Sequence, residues 1–193
     1  MPVRILEVGP DQLPLYGTVP SAFRVEAILQ VQEADGGLGG LILREEPVAA
    51  PYVKDYDVYE TPAHWAARFD VASWAFFIAS DDGQAVGAAA VAVDTPGVHM
   101  LEGRSDLAVL WDIRVHPERR GEGIGTALFG RAAGWARGRG CRELKIETQN
   151  TNVRACRFYA ARGCRLGAIV RRAYREPEIA HEAMLLWYLD LLP

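Results

Sequence analysis

The chain has 193 residues, half of them hydrophobic, with a formal net charge of −4, which suits one domain with a sizeable core. No apolar run approaches the ~18 residues of a membrane span, and the start, MPVRILEVGPDQLPLY, lacks the basic segment and long apolar stretch of a secretory signal. Three cysteines without CxxC spacing and four dispersed histidines argue against a metal site and point to a reducing cytoplasm, with the cysteines as small core residues.

Charge is unevenly spread. Residues 31–110 carry 13 acidic and 4 basic side chains, a net of −9, and residues 111–175 carry 5 acidic and 15 basic, a net of +10. Two readings are open: the blocks neutralise each other as solvated surface, or each meets a ligand of opposite sign. A nucleic-acid partner is disfavoured, because the arginines are scattered over strands and helices and the whole chain is acidic.

In chain order, residues 3–8 read as a strand, and Pro10, Pro14 and Pro20 break up the next segment. Residues 21–31 fit a helix, with Ser21 as N-cap and Phe23, Ala27, Ile28 and Val31 at helical spacing. GGLGG at 36–40 is a flexible loop without the Lys-Ser/Thr end of a phosphate motif. Residues 45–70 read as irregular, acidic and aromatic, except that Thr61 offers an N-cap and Pro62 a first helical position for a short helix to about Phe69. Residues 74–79 and 85–93 are apolar runs joined by Asp81-Asp82-Gly83, a hairpin signal. Then come a strand at 108–115, a helix at 123–138, a strand at 144–148, a helix at 152–162, and a final strand pair at 167–174 and 183–191. A hairpin followed by strand–helix–strand–helix implies a mixed sheet rather than a doubly wound nucleotide fold.

The stretch VHPERRGEGIGTALFGRA, 115–132, gathers two arginines and three glycines at a strand-to-helix junction. Arg120-Gly121-Glu122-Gly123-Ile124-Gly125 has the form R-x-x-G-x-G. A helix start offers unpaired N–H groups and partial positive charge, and glycines let the backbone approach a phosphate. The competing reading is a tight turn. Some thirty residues on stands NVRACRFYAARGC, in which Asn152, Ala155 and Tyr159 fall on one helical face.

Together, WDIRVHPERRGEGIGTALF and N-x-x-A-x-x-x-Y-x-x-x-G resemble the core motifs of the GNAT superfamily of acetyl-CoA-dependent N-acetyltransferases. The resemblance covers about 109–167. Within the superfamily, ETQNTNVRACRFYAARGC and the WYL at 187–189 look like streptothricin acetyltransferases. Residues 1–70 carry no assignable motif and read as a variable, acceptor-side part of a single domain, 1–193. The resemblance implies an α/β fold with one mixed, mostly antiparallel sheet, two splayed central parallel strands and flanking helices. It implies acetyl-CoA as cofactor, its pantetheine arm along the backbone of Ile113, Arg114 and Val115, its pyrophosphate on the N–H groups of Arg120, Gly121, Gly123, Ile124, Gly125 and Thr126, and further contacts from Asn152, Ala155 and Tyr159. A homodimer is a family-level expectation. One departure is Cys164, where the family usually has Phe.

Acetyl transfer to an amine needs a base, oxyanion stabilisation and a proton or hydrogen bond for the departing thiolate. Tyr159, at the family's tyrosine position, suits the last role, against a reading as a core aromatic. Asn152 is also placed to cap its helix. Two carboxylates compete as base. Asp112 sits mid-strand in VLWDIRV, where strand alternation puts it with Arg114 and sends Trp111, Ile113 and Val115 to the other face; its alternative role is a structural partner of Arg114. Glu147, on the other central strand, is the second. An oxyanion donor falls near Ile113. An acyl-cysteine route is disfavoured, since neither Cys156 nor Cys164 has a histidine neighbour in sequence.

Asp55, Tyr56, Asp57, Tyr59 and Trp65, with Asp112, suit a cationic acceptor through charge and cation–π contacts. The expected reaction is acetyl transfer to a primary amine of a small cationic molecule, such as a streptothricin-like antibiotic, by direct attack in a ternary complex. The alternatives are a protein lysine or N-terminus as acceptor, or a non-catalytic acyl-CoA sensor.

Overall fold

The computed structural model describes residues 3–192. Among these residues, nine strands and four helices alternate with short 3-10 turns: β1 (Arg4–Val8), α1 (Leu13–Tyr16), β2 (Phe23–Glu33), β3 (Leu41–Lys54), α2 (Pro62–Arg68), β4 (Ala75–Asp81), β5 (Gln84–Ala92), β6 (Leu107–Val115), α3 (Ile124–Gly138), β7 (Glu143–Gln149), α4 (Val153–Ala160), β8 (Arg165–Val170) and β9 (Met184–Asp190). Seven strands form one sheet in the order β1-β4-β5-β6-β7-β9-β8, and β2 and β3 form a separate ribbon. Pairing is mostly antiparallel, with β6 and β7 parallel, the mixed architecture the sequence implies. No helix among the described residues is long and apolar enough to cross a membrane.

Two compact units can be distinguished. The first comprises Met1–Phe23, Asp55–Lys145 and Asp190–Pro193. Its β4–β5 hairpin turns on Asp82 (φ 47°) and Gly83 (φ 82°), the left-handed pair that a two-residue turn requires. Alanines 88, 90 and 92 of β5 are fully buried, and their small size leaves room for a cluster of large rings: Tyr16, Trp65, Phe69, Trp74 and Phe76. Trp65 meets Tyr16 edge-on at 5.4 Å and stacks on Phe76 at 6.4 Å. On the other face of β5, α3 approaches closely at Gly87, where a Cβ would lie 2.9 Å from Ile124 Cγ2 and 3.0 Å from Leu128 Cδ1.

The second unit comprises Arg24–Lys54 and Ile146–Leu189. Here the expected helix at 21–31 is the strand β2, and β3 occupies much of what reads as irregular. The apolar positions of FRVEAILQV satisfy both periods over so short a span, and the buried–exposed alternation of Phe23–Glu26 is that of a strand. Ser21 does not cap a helix: its hydroxyl donates to Asp55 Oδ1 at 2.7 Å. Pro47 and Pro51 argue against a strand by sequence, because proline lacks the ladder donor. Four residues apart, both direct the missing N–H to the same edge, so one edge of β3 stays complete for pairing. The last pair is also shorter than expected: β8 ends at Val170, leaving Tyr174 in a loop. Thr61 precedes α2 without capping it, and its hydroxyl lies 3.3 Å from His64 Nδ1.

Gly87→Val is expected to destabilise the fold by about 1–3 kcal/mol, because the new methyls force α3 off the sheet. Urea unfolding followed by far-UV circular dichroism measures it.

Candidate active site

The β6 strand is not regular. Asp112 pairs with Ala90 and Leu110 with Val91, so Trp111 is the extra residue of a β-bulge. Simple alternation sends Trp111 away from Asp112 and Arg114. The bulge corrects this: Trp111 packs on Phe69 and Trp74 at 5.3 Å each, and Asp112 accepts from the Tyr16 hydroxyl of the same cluster at 3.0 Å.

Asp112 is bound tightly. Arg114 donates from Nε to its Oδ2 at 2.7 Å and from Nη2 to its Oδ1 at 3.3 Å. Arg114 Nη1 also donates to the Val19 carbonyl and to both oxygens of Asp57, each at 3.0 Å. The arginine side chain is 4% exposed. Burial works against its charge, but attraction and hydrogen bonding from Asp112, together with Tyr16 and Asp57, outweigh it and raise its pKa. Burial, then Asp112, hold the Tyr16 phenol well above its ordinary pKa. Asp112 and Asp57 are therefore joined through one guanidinium.

The other residues singled out on the acidic side are placed differently. Asp55 caps the 3-10 turn Tyr56–Val58, accepting from Asp57 N–H at 3.0 Å. The Tyr56 ring packs against Phe23 at 5.4 Å. Tyr59 is 55% exposed, whereas Trp65, at 3%, is a core ring.

The loop after β6 ends at Gly123, whose φ of 84° opens α3 with no side-chain cap on the helix start. Gly121 has a φ of 90°. A side chain at either position would be strained. The two arginines serve the protein itself: Arg119 bridges Asp81 and Glu122, and Arg120 donates to the carbonyls of Val115 (3.1 Å) and Ala22 (2.8 Å). A 15-residue helix begun this way can receive an anion on backbone N–H groups, through dipole and geometry rather than through arginine charge. The loop fits a phosphate-bearing cofactor on that ground.

In the second unit, Asn152 caps α4, its Oδ1 accepting from Ala155 N–H at 3.1 Å. Tyr159 is 5% exposed on the same helix. Glu147, on β7, accepts from the Tyr174 hydroxyl at 3.0 Å, and Gln149 donates to that hydroxyl at 2.8 Å.

Residues 42–164 match the acetyltransferase (GNAT) family model. The chain belongs to this family. As a GNAT enzyme it is an acetyl-CoA-dependent N-acetyltransferase. It is 28% identical to the streptothricin acetyltransferase of Escherichia coli over 95% of this chain and 94% of that one. It is 33% identical to the streptothricin acetyltransferase of Streptomyces lavendulae, over 69% and 67%. The crystal structure of nourseothricin acetyltransferase superposes with a TM-score of 0.78 at 26% identity, covering both chains fully.

Sequence reasoning about this GNAT chain did not find Tyr16, Tyr174 or Gln149. Tyr174 reads as the end of a strand, and its contact with Glu147 joins residues 27 apart with no local pattern. The cysteines are placed in the interior. Burial pushes the Cys156 thiol up to about 12 and that of Cys164 up to about 11, so both are neutral at physiological pH and poor nucleophiles. Among the described residues, no group of three or more His, Cys, Asp or Glu gathers as a metal site.

Arg114→Leu is expected to cost about 3–5 kcal/mol in urea unfolding, since it strands two carboxylates against the core; Arg119→Ala, in a partly exposed pair, costs less than about 1 kcal/mol. Cys156 and Cys164 should resist iodoacetamide at pH 8 in the folded protein and react after unfolding. Their folded pKa values exceed the 9.0 of a free thiol, so they contribute stability that is complete below pH 9 and is lost as pH climbs toward those values. Denaturant midpoints at pH 8, 9 and 10 would show the decline.

Proposed function

We propose that the chain transfers the acetyl group to a primary amine of a small cationic acceptor, a streptothricin-like antibiotic, by direct attack in a ternary complex. One observation carries this reading. The match to the Escherichia coli streptothricin enzyme spans 95% of the chain, so it extends well beyond the GNAT motifs into the N-terminal third, where acceptor specificity is expected to reside.

Acetyl-CoA, when bound, supplies an activated thioester and a good leaving group. The backbone of Ile113, Arg114 and Val115 holds the pantetheine arm. The N–H groups of Arg120, Gly121, Gly123, Ile124, Gly125 and Thr126 hold the pyrophosphate, consistent with a helix start that no side chain caps. Asn152 and Ala155, at the start of α4, border the cofactor. Glu147 takes a proton from the acceptor ammonium, directly or through water, so that the nitrogen lone pair can attack the acetyl carbonyl. An N–H near Ile113 stabilises the developing oxyanion. As the C–N bond forms and the C–S bond breaks, Tyr159 would give its phenolic proton to the departing sulfur and would recover one, through water, from the nitrogen as it becomes an amide.

Glu147 is preferred to Asp112 as base because both Asp112 oxygens accept from Arg114, and one also from Tyr16. Protonating Asp112 would disrupt a buried ion pair. On the acceptor side, Asp57, Asp55, Tyr56 and Trp65 have structural contacts, which makes the exposed Tyr59 the foremost of the five to meet a cationic acceptor.

Release of CoA thiol, with mass analysis of products, tests the reading. Streptothricin offered beside lysine-containing and free-N-terminal peptides is expected to be the acetylated species. Thiol release only with peptides, or with no amine in a broad panel, overturns it. Tyr159→Phe should lower turnover by about 10²-fold, a larger factor than its effect on acetyl-CoA affinity measured by calorimetry; unchanged turnover removes Tyr159 from the mechanism.

A further inference from the structure

Between β8 and β9 the chain leaves the sheet, yet this connection is tied down near both of its ends. Near its start, Arg171 pairs with Glu33, and the Tyr174 hydroxyl sits between Glu147 and Gln149. At its end, Glu182 is 2% exposed and pairs with the buried Lys54, and Thr151 Oγ1 donates to it at 3.4 Å. Asn150 Oδ1 accepts from Ala183 N–H at 2.9 Å. Such anchoring gives Tyr174 a fixed position rather than the freedom of a surface loop.

Glu147 and Gln149 stand two residues apart on β7, and therefore on one face. Tyr174 bridges their side chains. The direction of the bridge follows from donor and acceptor capacity. An ionised carboxylate only accepts, so the phenol must spend its one proton on Glu147 Oε1. Gln149 must then present its N–H to the phenol oxygen, which is the arrangement at 2.8 Å. This locks the hydroxyl rotor and, through Oε1, fixes the plane of the carboxylate.

We propose that Tyr174 is a positioning residue for acetyl transfer: its phenol, directed by Gln149, holds the Glu147 carboxylate in the orientation that receives the acceptor's proton. The inference rests on the assignment of Glu147 as base. A base must come within hydrogen-bond reach of the proton it takes, and small misplacements of a reacting group cost large factors in rate. The connection that carries Tyr174 thereby couples the base to a segment outside both GNAT motifs.

Steady-state kinetics on Tyr174→Phe, Gln149→Leu, Glu147→Gln and the Glu147→Gln/Tyr174→Phe double variant provides the test, with streptothricin and acetyl-CoA varied in turn. Tyr174→Phe is expected to lower kcat by about 10- to 100-fold, leaving KM for acetyl-CoA and the thermal midpoint unchanged. Gln149→Leu, which frees the rotor without removing it, should give a smaller drop. The double variant should be no slower than Glu147→Gln alone. Wild-type kcat in Tyr174→Phe overturns the inference, and so does a rise in acetyl-CoA KM that matches the loss in kcat. If Glu147→Gln retains full turnover, the base assignment fails and takes the inference with it. If Glu147→Gln is slow while Tyr174→Phe is not, the inference alone fails.

Discussion

Arg114 is the residue on which the first unit depends. Its guanidinium gathers Asp112 from its own strand, Asp57 from the turn before α2 and the carbonyl of Val19 from the segment after α1. That segment has no ladder or helix to satisfy its carbonyls, and buried carbonyls require partners. Arg120 does the same service one turn of chain later, at Ala22. Two arginines from the β6–α3 region therefore clasp residues 19–22. The cost of burying Arg114 is met because two carboxylates and a carbonyl surround it in fork geometry. The Tyr16 ring, 5.5 Å from the guanidinium carbon, adds a cation–π contact.

The bulge at Trp111 makes that arrangement possible. Without it, β6 could not present Trp111, Asp112 and Arg114 to the same aromatic core. With it, the indole fills space beside Phe69 and Trp74, Asp112 accepts from the Tyr16 hydroxyl, and Arg114 meets the Tyr16 ring. Ile113 and Val115 are left on the side where α3 packs, opposite Ala89 and Gly87 of β5. One inserted residue thus separates a structural face from the face next to the glycine loop. Alanines in β5 and Gly87 complete the division, small on one side for rings and on the other for a helix.

Much of the fold was legible because its signals were local. The Asp-Gly turn, the R-x-x-G-x-G junction and the N-x-x-A-x-x-x-Y helix each declare themselves within a dozen residues, and each element falls within a residue or two of its expected bounds. The β2–β3 ribbon was hidden. Phe23, Ala27 and Val31, four residues apart, fit two periods, and Pro47 and Pro51 look like breakers until their spacing is seen to turn both to one edge. The site was legible in part for the same reason. Asn152 and Tyr159 lie on a recognisable helix, and the Arg114 partner of Asp112 is two residues off, whereas Tyr16 on Asp112 and Tyr174 on Glu147 come from 96 and 27 positions away. Strand alternation misplaced Trp111 because a bulge leaves no composition mark in VLWDIRV.

The charge asymmetry has a similar resolution. Many cations of the basic block are paired with anions of the acidic block: Arg114 with Asp57, Arg119 with Asp81, Lys145 with Glu102, Arg157 with Glu45 and Arg171 with Glu33. A net charge of +10 over residues 111–175 is thus to a large extent answered within the protein, and it overstates what a ligand would feel. At the glycine loop this matters directly. Both arginines of the motif are engaged by carboxylates or carbonyls, so attraction for an anion falls to the start of α3, where the helix dipole and oriented N–H groups act together. A pyrophosphate held that way depends on backbone shape more than on side-chain charge. Gly121 and Gly123, which set that shape with their positive φ, then matter more to cofactor binding than the arginines that first draw the eye.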